Sequence, residues 1–246
     1  MTKCIYGETR VSEYVDNLIA LKAREAHDLK EIGDQWRTPD WLFFALDNLF
    51  GPLVLDLFTD GQNAKCTRYY TAEDNALRQD WAGRLKRIQA ELEAEAEVYD
   101  VADHVRRVWG FGNPPYSRNR AVEVPLTGMV NIMAKAEEER KKGAGTVWVI
   151  KAATAETWWP DTIATRTIFI KGRIGFEPPV WFKAKTGAAG ATSAGFGAAI
   201  VIFDPEDEEK HAPEYISREA LMDIGLPMAN IMQDVREKWI AQWDEV

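Results

Sequence analysis

Cysteine is scarce in this 246-residue chain, which contains only Cys4 and Cys66. Two thiols cannot build a disulfide framework, and neither has partners at the spacing of a metal site. Long apolar runs are also lacking, since the densest stretch, 41–46, is far shorter than the roughly 20 residues of a membrane span. The first residues do not resemble a signal peptide. The sequence therefore predicts a cytoplasmic protein that has no metal and does not associate with a membrane.

Positive charge is in deficit overall, but its distribution is uneven. The formal net charge is −9. Residues 1–103 carry 12 basic and 20 acidic side chains and residues 204–246 carry 4 and 12, whereas residues 104–203 carry 14 basic and 7 acidic ones. Proteins bind nucleic acid through clustered lysine and arginine. The middle of the chain is therefore the part that could face a polyanion, although charge alone fits an ordinary acidic surface equally well.

Apolar residues recur in a pattern that predicts helices alternating with short buried strands. The predicted helices cover 11–31, 38–49, 84–107, 121–142, 155–165 and 228–243, and the predicted strands cover 53–58, 108–111, 146–151, 167–171 and 197–203. The second helix should begin with a Thr38 cap and Pro39. Strands separated by helices indicate an α/β fold with a mostly parallel sheet covered on both faces. In such sheets, ligands bind at the carboxyl ends of the strands.

The loop after the second predicted strand carries the most distinctive motif, Asn113-Pro114-Pro115-Tyr116. Two prolines fix the backbone, so the side-chain oxygen of Asn113 and the carbonyl of Pro114 can face one point. Two fixed acceptors suit an exocyclic amino group, which has two N–H donors, and Tyr116 could stack on the heterocycle that carries it. The alternative is an ordinary proline-rich turn, which does not require an amide, two prolines and an aromatic ring together.

With several other segments, this motif resembles the phage and prophage DNA N-6-adenine methyltransferases of the Dam type. The segments that carry the resemblance are Trp36-Arg37-Thr38-Pro39, Leu55-Asp56, Asn63-Ala64-Lys65, Leu77 with Asp80-Trp81, Asn113 to Ser117, Gly172-Arg173 with Phe176, and Ile200 to Phe203. The resemblance covers roughly residues 34–204 and implies a Rossmann-like class I methyltransferase domain. Residues 1–33 would form a helical extension and 205–246 an acidic helical segment. Within the domain, 84–107 would be a helical insertion and 172–197 a mobile basic loop.

The resemblance also implies that S-adenosylmethionine binds in the loop after Asp56. An acid at a strand end suits the amino group of that donor, and further polar groups suit its ribose. The predicted cofactor-binding residues are Trp36, Thr38, Pro39, Asp56, Asn63, Asp74 and Asn75. One departure is that residues 58–63 contain a single glycine where common methyltransferases have Gly-x-Gly. Asp56 could instead cap a helix, and Trp36 could be a core residue.

The implied reaction is methyl transfer to the N6 atom of adenine in double-stranded DNA, with 113–116 as the catalytic residues. Hydrogen bonds to Asn113 and to the Pro114 carbonyl would favour a tetrahedral amino nitrogen that attacks the sulfonium methyl. A base inside a duplex must be flipped out to reach such a pocket. The predicted DNA-binding residues are Ser117, Arg118, Arg120, Lys171, Arg173, Lys183 and Lys185.

Two other functions fit the same sequence. A methyltransferase of this fold could act on a protein glutamine or on an RNA base, because the same tetrapeptide serves those substrates. The acidic ends could also belong to a non-catalytic DNA mimic or partner-binding protein. The target site, the oligomeric state and the biological purpose, whether restriction-modification, bacteriophage packaging or gene regulation, stay open at this point.

Overall fold

The computed structural model describes residues 36–99, 101, 105–116, 127–177, 179 and 196–244. Twelve elements follow one another in these ranges: α1 (Asp40–Phe50), β1 (Leu53–Asp56), β2 (Arg68–Tyr69), a 3-10 turn (Ala76–Arg78), α2 (Trp81–Val98), β3 (Trp109–Gly112), α3 (Met129–Lys141), β4 (Thr146–Lys151), β5 (Arg166–Lys171), β6 (Ala198–Phe203), β7 (Glu214–Ser217) and α4 (Arg218–Asp244). The predicted N-terminal helix lies outside the described residues.

The seven strands form one sheet in the order β2-β1-β3-β4-β6-β5-β7. The strands are parallel except β6, which is antiparallel to both β4 and β5. β6 is buried along its whole length, and β4 is buried up to Lys151. Their continuous apolar sequences follow from burial on both faces. The predicted α/β fold is therefore confirmed, and the mostly parallel sheet is consistent with a Rossmann-like methyltransferase.

Two apolar clusters cover the two faces of the sheet, and successive side chains of β4 belong alternately to one cluster and the other. Trp148 and Ile150 pack in one cluster, to which α2 and α3 contribute. Val147 and Val149 pack in the other, to which α1 contributes four residues and α4 contributes Leu221. This period of two is what a strand between two layers of helices requires. The sheet thereby becomes a rigid support for the loops at its edges.

Several predicted boundaries differ from the structure. Helix α2 covers Trp81–Val98 rather than 84–107, α3 begins at Met129 rather than at 121, and α4 begins at Arg218 rather than at 228. Strands β2 and β7 were not predicted, because both are short and partly exposed and give no clear apolar alternation. Of the described helices, none combines the length and apolar character needed to cross a membrane.

The predicted helix over 155–165 is wrong, because this stretch consists of separate turns. Its backbone bonds are short-range ones, such as those from the Trp159 amide to the Glu156 carbonyl and from the Ala164 amide to the Pro160 carbonyl. Pro160 lacks an amide hydrogen and disfavours helical backbone at the residue before it. The tryptophans that suggested a helical centre are held by packing against the sheet instead.

The position of α1 depends on its close crossing with α4. A Cβ atom on Gly225 would lie 1.8 Å from the carbonyl oxygen of Trp41 and 2.8 Å from the amide nitrogen of Ala45. Only a glycine therefore allows the two helix backbones to approach this closely. Since α1 follows directly on the segment that contains Thr38 and Pro39, the crossing also determines where that segment lies.

Gly225→Ala is expected to lower the free energy of unfolding by about 1–3 kcal/mol, because the added methyl group forces α4 away from α1. Thermal or denaturant unfolding measures the change. Gly175→Ala is the matched control, since no described atom lies within 4 Å of the Cβ it would add. An equal stability of the two variants would show that the helices can separate without cost.

Candidate active site

The crevice between β1 and β3 lies where the connections of the sheet change direction. After β1 the chain continues to β2 on one side, whereas β3 pairs with β1 on the other side. The amide of Leu57 donates to the carbonyl of Phe111 at 2.9 Å, which keeps the carboxyl ends of β1 and β3 together. Ligands of open α/β sheets bind at such a point. Asp56 and Asn113, which end or follow these two strands, are thereby adjacent to it.

The side-chain amide of Asn113 has a fixed orientation. Its Nδ2 atom donates to the backbone carbonyl of Trp36 at 2.9 Å. A carbonyl can only accept, so the nitrogen and not the oxygen must face Trp36. No described residue donates to the Oδ1 atom of Asn113. The half-buried amide thus presents a fixed acceptor away from Trp36.

Residues 36–39 are attached to the rest of the site by a second contact. Arg37 and Glu177 form an isolated antiparallel bridge, with amide-to-carbonyl distances of 2.8 and 2.9 Å. The guanidinium of Arg37 also lies 3.1 Å from the carboxylate of Glu177. The backbone that carries the Trp36 carbonyl is therefore held from both sides, and the orientation of Asn113 depends on it.

Thr38 does not cap α1 as the sequence predicted. The first helical amides, those of Leu42 and Phe43, donate to the carbonyl of Pro39 instead. The Thr38 side chain is 2% exposed, and its Oγ1 atom has no hydrogen-bond partner among the described residues. A buried hydroxyl without a partner costs about 1–3 kcal/mol.

Asp56 is a buried carboxyl group whose contacts are backbone amides. Its Oδ2 atom accepts from the Lys65 amide at 2.9 Å and its Oδ1 atom from the Phe58 amide at 3.3 Å. Burial raises the pKa of Asp56 to about 7, although the two amide bonds oppose the shift. The ammonium of Lys65 pairs with Asp40 rather than with Asp56. Asp56 therefore closes the loop after β1 and keeps lone pairs available for a cation.

The other predicted cofactor residues have local roles in the two loops that follow β1 and β2. Asn63 accepts from the Thr59 hydroxyl and the Asp60 amide, and buried Asp60 accepts from the amides of Gln62 and Asn63. Asp74 accepts from Thr71, and Asn75 caps the 3-10 turn in a left-handed conformation. These hydrogen bonds fix the shape of the loop, which lacks the Gly-x-Gly turn of common methyltransferases. That Asn63, Asp74 and Asn75 contact the cofactor stays a prediction.

Tyr116 is packed at the end of β4. Its hydroxyl accepts from the Lys151 amide, and its ring meets the edge of Trp158 with centroids 6.0 Å apart. The Lys151 ammonium lies 4.1 Å from the centroid of the same ring. Lys151 is not among the site residues predicted from the sequence. Its position at the carboxyl end of a strongly apolar strand was the available signal.

The predicted DNA-binding residues are only partly described. Lys171 and Arg173 are exposed at the carboxyl end of β5, and therefore on the same edge of the sheet as Asn113. Strands β4 and β6 separate them from β3. Ser117, Arg118, Arg120, Lys183 and Lys185 lie outside the described residues, and so does most of the predicted loop 172–197.

The chemistry of the crevice fits S-adenosylmethionine. The Thr38 hydroxyl, which has no partner among the described residues, and the buried carboxyl of Asp56 are groups that suit the polar parts of such a donor. Across the described ranges, no three histidine, cysteine, aspartate or glutamate side chains group as a metal site.

A mostly parallel sheet with an acidic residue and an Asn-Pro-Pro-Tyr loop at the ends of adjacent strands is typical of S-adenosylmethionine-dependent methyltransferases. The family model of the DNA N-6-adenine-methyltransferases (Dam) matches residues 25–91 and 94–228, so the chain belongs to this family. It is also similar to the "Putative methyltransferase YfdM" of Escherichia coli (strain K12), with 53% identity over 105 residues, which are 43% of this chain and 96% of that protein. No solved structure matches the chain.

The raised pKa of Asp56 predicts an unusual pH dependence of stability. Between the ordinary value of 3.8 and about 7, the folded chain keeps a proton that the unfolded chain has lost. Through this group, the free energy of unfolding falls as the pH rises across that window. The Asp56→Asn variant has one amide hydrogen bond fewer at every pH, and it lacks the group whose titration makes the stability depend on pH. Its Tm relative to wild type should therefore rise from about pH 5 to about pH 8.

Thermal unfolding at several pH values measures that difference. Asp234→Asn, which changes an exposed carboxylate on α4, serves as the control and should give a small and constant difference. A difference for Asp56→Asn that does not change with pH would contradict the assignment of the pKa shift.

Proposed function

We propose that this methyltransferase transfers the methyl group of S-adenosylmethionine to the N6 atom of adenine in double-stranded DNA. The observation that carries the proposal is the orientation of Asn113, whose Nδ2 atom is bound by Trp36 and whose Oδ1 atom has no donor among the described residues. Membership of the DNA N-6-adenine-methyltransferase family supports the same substrate.

Two acceptors at the Asn-Pro-Pro-Tyr loop distinguish an amino group from other methyl acceptors. The Oδ1 atom of Asn113 and the carbonyl of Pro114 can each accept one N–H bond from the exocyclic nitrogen. A ring carbon or a hydroxyl cannot satisfy both acceptors, and an unpaired buried acceptor is costly. The loop therefore favours a planar amino group over other nucleophiles.

Asn113 and Pro114 also act on the reactivity of that nitrogen. Its lone pair is delocalised into the purine ring, and two N–H bonds to acceptors outside the ring plane favour a tetrahedral nitrogen with a localised pair. When bound, S-adenosylmethionine supplies a methyl group on a positively charged sulfur. Attack of the nitrogen would break the C–S bond, whose electron pair would stay on sulfur, and one proton of the amino group would pass to solvent. Positioning and electrostatics supply the acceleration.

Thr38 and Asp56 are the residues that would hold the donor. The Thr38 hydroxyl is nearly inaccessible to solvent and needs a partner. The Asp56 carboxyl has the charge that suits an amino group, and its ionised form would be favoured by that neighbour. Both residues come from backbone that the sheet and α1 hold in place, so the donor site is largely preformed.

The base must leave the duplex to reach the acceptors, at a cost of a few kcal/mol. Tyr116 is positioned by Lys151 and Trp158 rather than by the base. A ring that is already fixed loses little entropy when a purine stacks on it. Tyr116 therefore offers a surface on which the flipped base can be stabilised.

Transfer of tritium from labelled S-adenosylmethionine to unmethylated duplex DNA tests the proposal. After digestion to nucleosides, the label should co-migrate with N6-methyldeoxyadenosine. Asn113→Ala should lower the rate at least about 100-fold, since it removes a group that contacts the reacting atom, whereas donor affinity should change little. Label found in protein or RNA, with none in DNA, would contradict the proposed substrate.

The Thr38→Val variant tests whether the Thr38 hydroxyl binds the donor, because its effects on stability and on donor affinity can be measured separately. Valine has the shape of threonine without the buried hydroxyl, so the free energy of unfolding should be unchanged or about 1 kcal/mol higher. The affinity for S-adenosylmethionine should fall about fivefold, the value of one hydrogen bond. Calorimetric titration and thermal unfolding measure the two effects. Thr38→Ser, which keeps the hydroxyl, is the control, and a Val variant that is destabilised but binds normally would show that the hydroxyl is not a ligand.

A further inference from the structure

Lys151 is held at the catalytic loop by aromatic rings rather than by acids. Its ammonium lies 4.1 Å from the ring centroid of Tyr116 and 4.8 Å from that of Phe196. None of the described carboxylates forms an ion pair with it. About half of the described lysines and arginines form ion pairs, for example Lys65, Lys135 and Arg140. Lys151 thus carries positive charge that its surroundings do not neutralise.

The location of this charge is set by the sheet. Lys151 is the last residue of β4, and β4 lies next to β3 and parallel to it, so Lys151 is on the edge of the sheet that carries Asn113. The Lys151 amide also donates to the hydroxyl of Tyr116. The same residue therefore positions the catalytic tyrosine through its backbone and presents an ammonium through its side chain.

A second lysine and aromatic ring extend the positive edge. The ammonium of Lys171, at the end of β5, lies 5.3 Å from the ring centroid of Tyr215. β6 separates β4 from β5, and the register of both pairs places the ends of the two strands within one residue of each other. The α-carbons of Lys151 and Lys171 are therefore about two interstrand spacings apart, roughly 10 Å, and the offset of one residue sends their side chains to opposite faces of the sheet.

We propose that Lys151 binds a backbone phosphate of the target strand beside the flipped base. This inference rests on the proposed function, because it assigns the DNA contact nearest to the catalytic loop. An ammonium between two rings is partly desolvated and restricted in its rotamers, so it loses less hydration and entropy on meeting a phosphate than a free surface lysine does. Such a contact helps to offset the cost of flipping the base.

The salt dependence of DNA binding tests the inference in the full chain. Fluorescence anisotropy of a labelled adenine-containing duplex, with S-adenosylhomocysteine present, gives the affinity at several salt concentrations. Loss of one phosphate contact should reduce the slope of log K against log salt by about 0.9, which corresponds to about eightfold weaker binding at 0.1 M salt. Lys151→Met, which keeps the side-chain length between the rings, should show this loss. Lys151→Arg should restore most of the slope.

Lys210→Met is the matched control. Lys210 is exposed next to His211, whose amide donates to the carbonyl of Thr165 just before β5, so this lysine lies at the opposite edge of the sheet. Its replacement should leave the slope unchanged. Calorimetric titration with S-adenosylhomocysteine confirms that each variant keeps a folded donor site.

The possible results separate the inference from the proposed function. A Lys151→Met variant with the wild-type slope but slower methyl transfer would show that the Lys151 side chain acts only through its contact with the ring of Tyr116, and would overturn the phosphate contact. An equal fall in slope for Lys151→Met and Lys210→Met would also overturn the phosphate contact. The effect would then come from the net charge of the protein and not from the position of Lys151. A wild-type chain that binds no duplex at any salt concentration would overturn the proposed function together with the inference.

Discussion

The hydrogen bond from Asn113 to the carbonyl of Trp36 is the interaction on which the rest of the site depends. It joins the end of β3 to the segment before α1, and because a carbonyl only accepts, it leaves the amide oxygen as the group presented to a substrate. The bridge between Arg37 and Glu177 and the close crossing at Gly225 hold that segment in place. The fold thus fixes the orientation of one side chain, which under the proposed function is the acceptor for an amino group.

The sheet places the remaining groups without further interactions between them. Parallel strands bring their carboxyl ends to one edge, so Asp56, Asn113 and Lys151 share that edge although they are far apart in the sequence. Each has a distinct local environment. The buried carboxyl of Asp56 accepts from backbone amides, the amide of Asn113 donates to a carbonyl, and the ammonium of Lys151 lies between aromatic rings. A cation-binding group, an amino-binding group and a phosphate-binding group can therefore function side by side.

Much of the fold could be predicted from the sequence because its central strands are continuous apolar runs. The run over 146–151 predicted β4 to the residue, and the stop at Gly51-Pro52 predicted the end of α1. The edge strands β2 and β7 and the turns around Pro160 were missed or misassigned, because packing rather than local pattern determines them. The motif residues of the site were identifiable by resemblance, whereas the carbonyl of Trp36, the unpartnered hydroxyl of Thr38 and the environment of Lys151 arise from tertiary contacts that no spacing reveals.

Under the proposed function, the Oδ1 atom of Asn113 receives the amino group of an adenine while its Nδ2 atom stays bonded to the Trp36 carbonyl. A crystal structure of the chain with S-adenosylhomocysteine and an adenine-containing duplex measures this directly. The account predicts a flipped adenine whose N6 atom lies within hydrogen-bond distance of Oδ1, with the bond to the Trp36 carbonyl retained. An adenine that remains stacked in the duplex, or an amide that turns its nitrogen toward the base, would contradict it.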